Sequence, residues 1–305
     1  MNTIFAVLVT TLFALPATTS APPQEKTFDS AKQAADALVA AVSNDDTATM
    51  LAIFGPDGKK IVASGDDVKD KNDREKFEAL AKEKTDVVVD KKDPHRAKLA
   101  IGADGWPFPV PIVQTAGKWH FATKEGLREI LYRRIGQNEL DAIEACHNYV
   151  DAQHDYALEK HDGSSLNQYA QKVISSEGKQ DGLVWRNPDG TFGGPLAEAL
   201  GRAIAEGYSK KSEPYHGYYF KILKGQGPAA PLGRIDFVVK GIMIGGFALV
   251  AWPAEYRNTG VKTFMISHNA ILYEKDLGPD TAKIASAMTA YNPDKTWKKV
   301  LEPED

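Results

Sequence analysis

Helical patterns precede runs of strand pattern twice along this chain, and that order most limits the folds open to it. A parallel sheet needs helix and strand to alternate, whereas helices followed by several short strands lead to segregated layers around an antiparallel sheet. In the first round, Ser30 and Gln33 have capping-box spacing ahead of a helix carrying Leu38, Val39 and Val42. A short helix from Thr47 to Phe54 stops at Gly55-Pro56-Asp57-Gly58. Residues 66–98 hold ten acidic and ten basic side chains, interspersed, and predict a solvated helix-and-loop surface. Strands are expected at Val87–Val89 and Ala97–Ile101 around Asp93-Pro94, and at Phe108–Gln114 and Trp119–Phe121 around Thr115-Ala116-Gly117. Pro107, Pro109 and Pro111 alternate, which suits an edge strand.

The second round begins with an amphipathic helix through Leu127, Ile130, Leu131 and Ile135, which Gly136 is expected to break. Asn138 then caps a longer helix to about Lys160, with Asp141 in its first turn. A short helix is expected over Leu166–Ile174 and a loop over 178–195. Strands follow at Tyr218–Leu223, Ile235–Val239, Phe247–Ala251, Thr263–Ile266 and Ile271–Tyr273, with His268-Asn269 as a compact turn. The expectation is an α+β protein of two domains, 27–135 and 136–302. By analogy of layout, the first resembles the cystatin-like or nuclear-transport-factor-like cone of helices on a curved antiparallel sheet. The second, a long helix followed by an antiparallel meander, has the layout of a pilin-type globular domain.

The N-terminus points to export. Ile4–Leu15 is an apolar stretch too short to span a bilayer, and small residues from Ala17 to Ala21 follow it. A signal peptide over 1–21, cleaved near Ser20 or Ala21, is the expectation, with the mature chain in the periplasm or secreted. No later segment has about 18 uninterrupted apolar residues, so no membrane span is expected in the mature chain. Over 305 residues the net charge is −4, which argues against a nucleic-acid partner. The single cysteine, Cys146, excludes an intramolecular disulfide and any site needing several thiolates.

A set of motifs in fixed order carries a resemblance. Trp106-Pro107-Phe108-Pro109 precedes Lys118-Trp119-His120-Phe121, then Arg133-Arg134-Ile135-Gly136-Gln137-Asn138-Glu139-Leu140 and Tyr149-Val150-Asp151-Ala152-Gln153. Gly217-Tyr218-Tyr219-Phe220 follows, then Gly246–Tyr256, Lys275–Thr281, Tyr291-Asn292-Pro293-Asp294 and Trp297. The chain resembles, over roughly 27–302, the bacterial envelope family called domain of unknown function 2950. That resemblance implies the compartment and no reaction. The second half is also similar to the globular part of pilins and pseudopilins through its helix-then-meander order and Gly260-Val261-Lys262-Thr263-Phe264. It departs from them in its helix, which is polar and follows Arg133-Arg134, so filament assembly through that helix is not expected.

Several constellations are candidates for function. Arg133, Arg134, Asn138 and Glu139 cluster in sequence; they suit an anion or carboxylate site, or an ion-pair and capping network. Trp252, Glu255 and Tyr256 offer large contact area with polar tips, the strongest binding-surface candidate, although an aromatic at a strand end also suits a core. His147, His154 and His161, with Asp151, recur along the long helix. As metal ligands His147, Asp151 and His154 are weak candidates, because seven helical residues separate the two imidazoles by about 10 Å along the axis. Cys146 and His147 diverge by about 100° around a helix and do not form a nucleophile–base pair. Gly241–Gly246 is glycine-rich, but a strand follows it where a phosphate loop needs a helix. No cofactor is expected. The function these features support is a non-enzymatic binding or scaffolding module for an envelope protein or a glycan. The alternatives are a periplasmic hydrolase of glycan or peptide using an acid such as Glu255 or Glu139, and a pilus or secretion accessory protein.

Overall fold

The computed structural model describes residues 25–62, 67–205 and 214–301, with the side chains of 67–72 excepted. The leader and its cleavage site lie outside these residues. The protein is α+β, with antiparallel sheets and helices in separate stretches of chain, and it divides into two compact units, one ending at Ile130 and the other beginning at Leu131.

In the first unit, α1 (Ala31–Ser43) starts where Ser30 Oγ accepts from the Gln33 amide at 3.1 Å. The Gln33 side chain returns to the amide of Asp29, one residue earlier than an ideal capping box. Helix α2 (Thr47–Phe54) is capped by Asp46 and ends at Gly55, whose φ of 69° lies in the left-handed region. A single 3₁₀ turn then leads into α3 (Lys59–Val62) and α4 (Asp67–Glu83). Strands β1 (Thr85–Val89) and β2 (Arg96–Ile101) pair as the expected hairpin, Thr85 opposite Ile101. The order continues through β4 (Ile112–Thr115) to β5 (Lys118–Phe121), while β3 (Trp106–Pro107) adds two residues along β2. The alternating prolines confine β3 to two residues; Phe108 N still donates to Leu99 O, and strand pairing resumes at Ile112. Ala34, Ala35, Leu38 and Ile53 from the helices meet Leu99, Ile101, Ile112 and Phe121 from the sheet, and all are buried. Phe54 lies edge-on to Phe121, and Phe77 to Phe108, in the same core.

Helix α5 (Thr123–Tyr156) is continuous for 34 residues, so Gly136 does not break it and Asn138 does not cap it. One interior glycine costs a helix about 1 kcal/mol. That is small beside the packing of the helix's apolar face, and no proline follows to force a stop. The helix ends at Tyr156 rather than Lys160.

In the second unit the main sheet runs β16 (Lys298–Lys299), β15 (Tyr273–Asp276), β14 (Lys262–Ser267), β13 (Ala248–Pro253) and β8 (Tyr218–Leu223), antiparallel throughout. Strand β13 is buried at every residue, as its uninterrupted apolar sequence requires of a central strand. Ala142, Cys146, Tyr149, Val150 and Gln153 line one face of α5 in its core. Helix α7 (Thr281–Ala287) packs against the same strand. Helices α7 and α6 (Ala197–Ala205) lie outside the stretches expected to be helical, although α6 carries amphipathic spacing through Ala197, Leu200, Ala203 and Ile204.

No helix forms over Leu166–Ile174, despite apolar residues at helical spacing. The segment is an extended strap whose backbone polar groups find partners across the fold. Gln153 donates its side-chain amide to Ala170 O and accepts from Ala170 N, each at 2.8 Å, while Tyr169 N donates to Met243 O. Farther on, Ser175 N and Val184 N bond to carbonyls of Val184 and Val173. Short hairpins complete the unit. They are β6 (Trp185–Arg186) with β7 (Phe192–Gly193), β9 (Gly225–Gln226) with β10 (Ile235–Asp236), and β11 (Val238–Val239) with β12 (Ile242–Met243). Gly241 therefore serves a tight strand connection, with φ of 84°.

Candidate functional site

Two groups of residues that the sequence separates by more than a hundred positions come together in the second unit. The segment between β13 and β14 folds back on itself, with Glu255 O accepting from Thr259 N and Arg257 N donating to Gly260 O. One stretch of α5 holds it. Arg134 donates to Asn258 Oδ1 at 2.7 Å, Asn138 donates to Thr259 O at 2.9 Å, and Glu139 Oε1 accepts from Val261 N and Lys262 N at 2.8 and 3.0 Å. Asn258 passes the connection on to Glu255 Oε2 at 2.6 Å. One turn further along the helix, Asp141 takes Gln137 Nε2 on one oxygen and the ring of His216 on the other. Arg133 is half-buried beside this group.

Glycine makes the close approach possible. Gly217 has φ of 73°, and a Cβ there would sit 2.6 Å from the Asn138 amide and 2.8 Å from Thr259 Cβ. The next residue, Tyr218, is fully buried and its hydroxyl donates to Lys262 O at 2.9 Å. Burial, reinforced by the Glu139 carboxylate, pushes that phenol well above its ordinary pKa.

This arrangement spends its carboxylates on the chain's own donors. Glu139 orients the loop while Asp141 holds Gln137 and His216, and no reacting atom has room between these carboxylates and their partners. Trp252 is a core residue, 8% exposed and tilted against Tyr219. Glu255 is exposed. Tyr256 is half-buried; its hydroxyl donates to Asp276 Oδ2 at 3.2 Å, and its ring carries the Arg257 guanidinium at 5.3 Å.

The histidine series does not converge. His161 lies beyond the end of α5, stacked on Tyr156 at 3.9 Å with Nε2 against Tyr156 O. His154 sits edge-on to Phe247 at 5.4 Å. Among the described residues, no three His, Cys, Asp or Glu side chains are placed to hold a metal ion. Cys146 is buried and its thiol is pushed up to about 12 by that burial, so no thiolate forms near neutral pH.

A different part of the second unit is concave. A cleft of about 560 Å³ runs along residues 174–180 and 184–188, closed by Asp162 and Phe192. Its volume lies in the range of ligand pockets, about 300–1,000 Å³. Trp185 forms one wall. Its indole lies across the backbone of Gly193 and Gly194, where a Cβ would come within 2.5 Å of the indole Nε1 at the first and of Leu183 O at the second. The ring is thus fixed while remaining partly exposed. Phe192 forms another wall and carries the Arg186 guanidinium 5.2 Å above its ring. The turn between these aromatics is closed by Gly190 N to Asn187 O and by Asp189 Oδ1, which takes both the amide and the hydroxyl of Thr191.

The wall over 175–180 is pinned by a clip. Lys172 Nζ reaches Asp181 Oδ2 at 2.7 Å and Ser176 Oγ at 2.6 Å, while Asp181 Oδ1 takes Ser176 N. Burial alone would raise the Asp181 carboxyl, but its bonds to Lys172 and Ser176 outweigh that and hold it at about 2. Sequence reasoning passes over this cleft because its residues fall in a stretch read as loop. The signal is there in Trp185-Arg186-Asn187-Pro188-Asp189-Gly190-Thr191-Phe192, a strong turn flanked by two aromatics.

Among the described residues no helix is long and apolar enough to cross a membrane. A family model described as a protein of unknown function, DUF2950, matches residues 25–300. No curated protein and no solved structure matches the chain.

Proposed function

The chain belongs to this family, and we propose that it is an exported, non-enzymatic binding module that engages another component of the bacterial envelope. One contrast carries the reading. The carboxylates nearest the sequence motifs, Glu139, Asp141 and Glu255, are hydrogen-bonded within the fold, as is Asp162 of the cleft beside Trp185, whose walls otherwise present aromatic faces, side-chain amides and balanced charges. An active site needs a titratable group within reach of a substrate and free to exchange protons. A binding cleft needs fixed shape and a few convergent polar groups.

Export is supported by the apolar stretch Ile4–Leu15 and the small residues Ala17–Ala21. The helix followed by an antiparallel meander supports the kinship with pilin-type globular domains that we propose for the second unit.

The test is to express the full chain in a Gram-negative host, fractionate the cells, and read the N-terminus of the product. A chain beginning near Ala21 or Pro22 in the periplasm or medium is the expected result; an intact Met1 in the cytoplasm overturns export. Cross-linking in the native envelope followed by affinity capture is expected to retain a defined component. Turnover of glycan or peptide substrates by the purified protein would overturn the non-enzymatic reading.

A further inference from the structure

We infer that the cleft beside Trp185 binds a neutral saccharide chain; this rests on reading the protein as a binding module and names the ligand class for its cleft. A sugar ring is polar at its rim and apolar on its faces, so its recognition needs a flat aromatic surface next to planar hydrogen-bonding groups. Trp185 supplies the surface, held against Gly193 and Gly194 and partly exposed along the cleft. Such a pre-oriented aromatic loses little conformational entropy when a ligand arrives.

The polar groups lie on the same walls. Gln180 is held by its backbone, its N–H donating to Asp162 and its carbonyl accepting from the Tyr156 hydroxyl at 2.6 Å. Its side-chain oxygen lies 3.4 Å from His161 Nδ1, which leaves the NH₂ for a ligand. Asn187 uses its NH₂ on Thr191 Oγ1, and its carbonyl oxygen, which lies beside Gly193, accepts no hydrogen bond from the described residues. Ser175 also lines the cleft, but its hydroxyl is buried beneath the wall, with no hydrogen-bond partner among the described residues. Gln180 and Asn187 thus give the walls a side-chain donor and a side-chain acceptor, the complement of a polyol.

Charge selects among ligands. The lining carries Asp162 and Glu177 against Lys179 and Arg186, and the Arg186 guanidinium already sits over Phe192. Two acids and two bases nearly cancel, so neither an anionic polymer nor a cationic peptide gains from the local field. An extended peptide would need a longer free strand edge than β6 offers, two residues of a two-stranded sheet.

The experiment is isothermal titration of the purified protein with cellohexaose, maltohexaose and chitohexaose, with hexagalacturonate as the anionic counter-probe. At least one neutral hexasaccharide is expected to bind saturably and more tightly than hexagalacturonate. Affinity should fall at least tenfold in Trp185→Ala and severalfold in Gln180→Ala. Should Trp185→Ala lower the melting temperature, Gln180→Ala decides, because its backbone bonds are retained and its side chain gives up only a long 3.4 Å contact with His161. No binding of any neutral hexasaccharide, preferential binding of hexagalacturonate, or equal binding by wild type and Gln180→Ala overturns the inference. Capture of a protein partner with no saccharide binding removes the ligand class and leaves the binding module. New reducing ends in the titration mixture leave the ligand class and remove the non-enzymatic reading.

Discussion

Asn138 donates its side-chain amide to the carbonyl of Thr259, 121 residues away, at 2.9 Å from the middle of an unbroken helix. Capping spacing marks Asn138 as the start of a helix, yet it works as a strut between helix and loop. Glu139 beside it takes two consecutive backbone amides, Val261 and Lys262, at the entry to β14.

Glu139→Ala orphans both amides together. The expected loss is about 1.5–3 kcal/mol, the range for hydrogen bonds to a charged group, measured by urea unfolding. Asn138→Ala should cost about 1 kcal/mol. A loss below about 0.5 kcal/mol in Glu139→Ala would mean that the loop is held elsewhere.

Gly136 is helical, and no atom lies within 4 Å of the position a Cβ would take. Gly136→Ala should therefore stabilise the protein by about 0.5–1 kcal/mol through a less flexible unfolded chain and better helix propensity. A lower melting temperature in this variant would mean that the position needs glycine's freedom.

Gly194 has φ of 99°, and a Cβ there would lie 2.5 Å from Leu183 O and 2.8 Å from the Trp185 ring. Gly194→Ala is expected to cost about 1–3 kcal/mol in backbone strain and to displace the indole. Near-ultraviolet circular dichroism reads the displacement, and an unchanged tryptophan signature would show that the indole does not depend on this backbone.

Asp181 has a folded pKa of about 2 against an ordinary 3.8. The carboxylate form is favoured by folding, so its stabilisation is present above about pH 4 and lost as pH falls towards 2. With the side chain 30% exposed, solvent screening leaves roughly 1–2 kcal/mol. Asp181→Asn should be less stable than wild type at pH 6, and the gap should narrow by about two-thirds of that amount at pH 2.5. A gap independent of pH would locate the effect outside the Lys172 clip.

What the sequence reveals here is what short range decides. The Thr47–Phe54 helix carries its cap at Asp46 and its stop at Gly55 within its own neighbourhood, and the β1–β2 hairpin carries its turn at Asp93-Pro94. Leu166–Ile174 has the apolar spacing of a helix but is drawn out by Gln153 and Met243, partners no local window contains. The motif residues were recognisable, Arg134 with Asn138 and Glu139, and Glu255 with Tyr256. That the first group grips the loop carrying the second depends on the registry between α5 and the sheet. The cleft is assembled from several separate stretches, so only its Trp–turn–Phe segment is visible as a pattern.

Gln153 is fully buried and substitutes for a strand neighbour, giving Ala170 both a donor and an acceptor. A strap tethered in this way is encoded by individual side chains and not by a repeating pattern, which makes its tolerance to mutation uneven. Any suitable apolar residue can replace another in a core with modest loss, but no other residue has the length and paired geometry of glutamine at this position. A saturation scan should therefore find Gln153 as intolerant as Phe247 or Tyr218, with even Gln153→Glu rejected because a carboxylate cannot donate to Ala170 O. Drift in this stretch is restricted by polarity where drift elsewhere in the unit is restricted by volume.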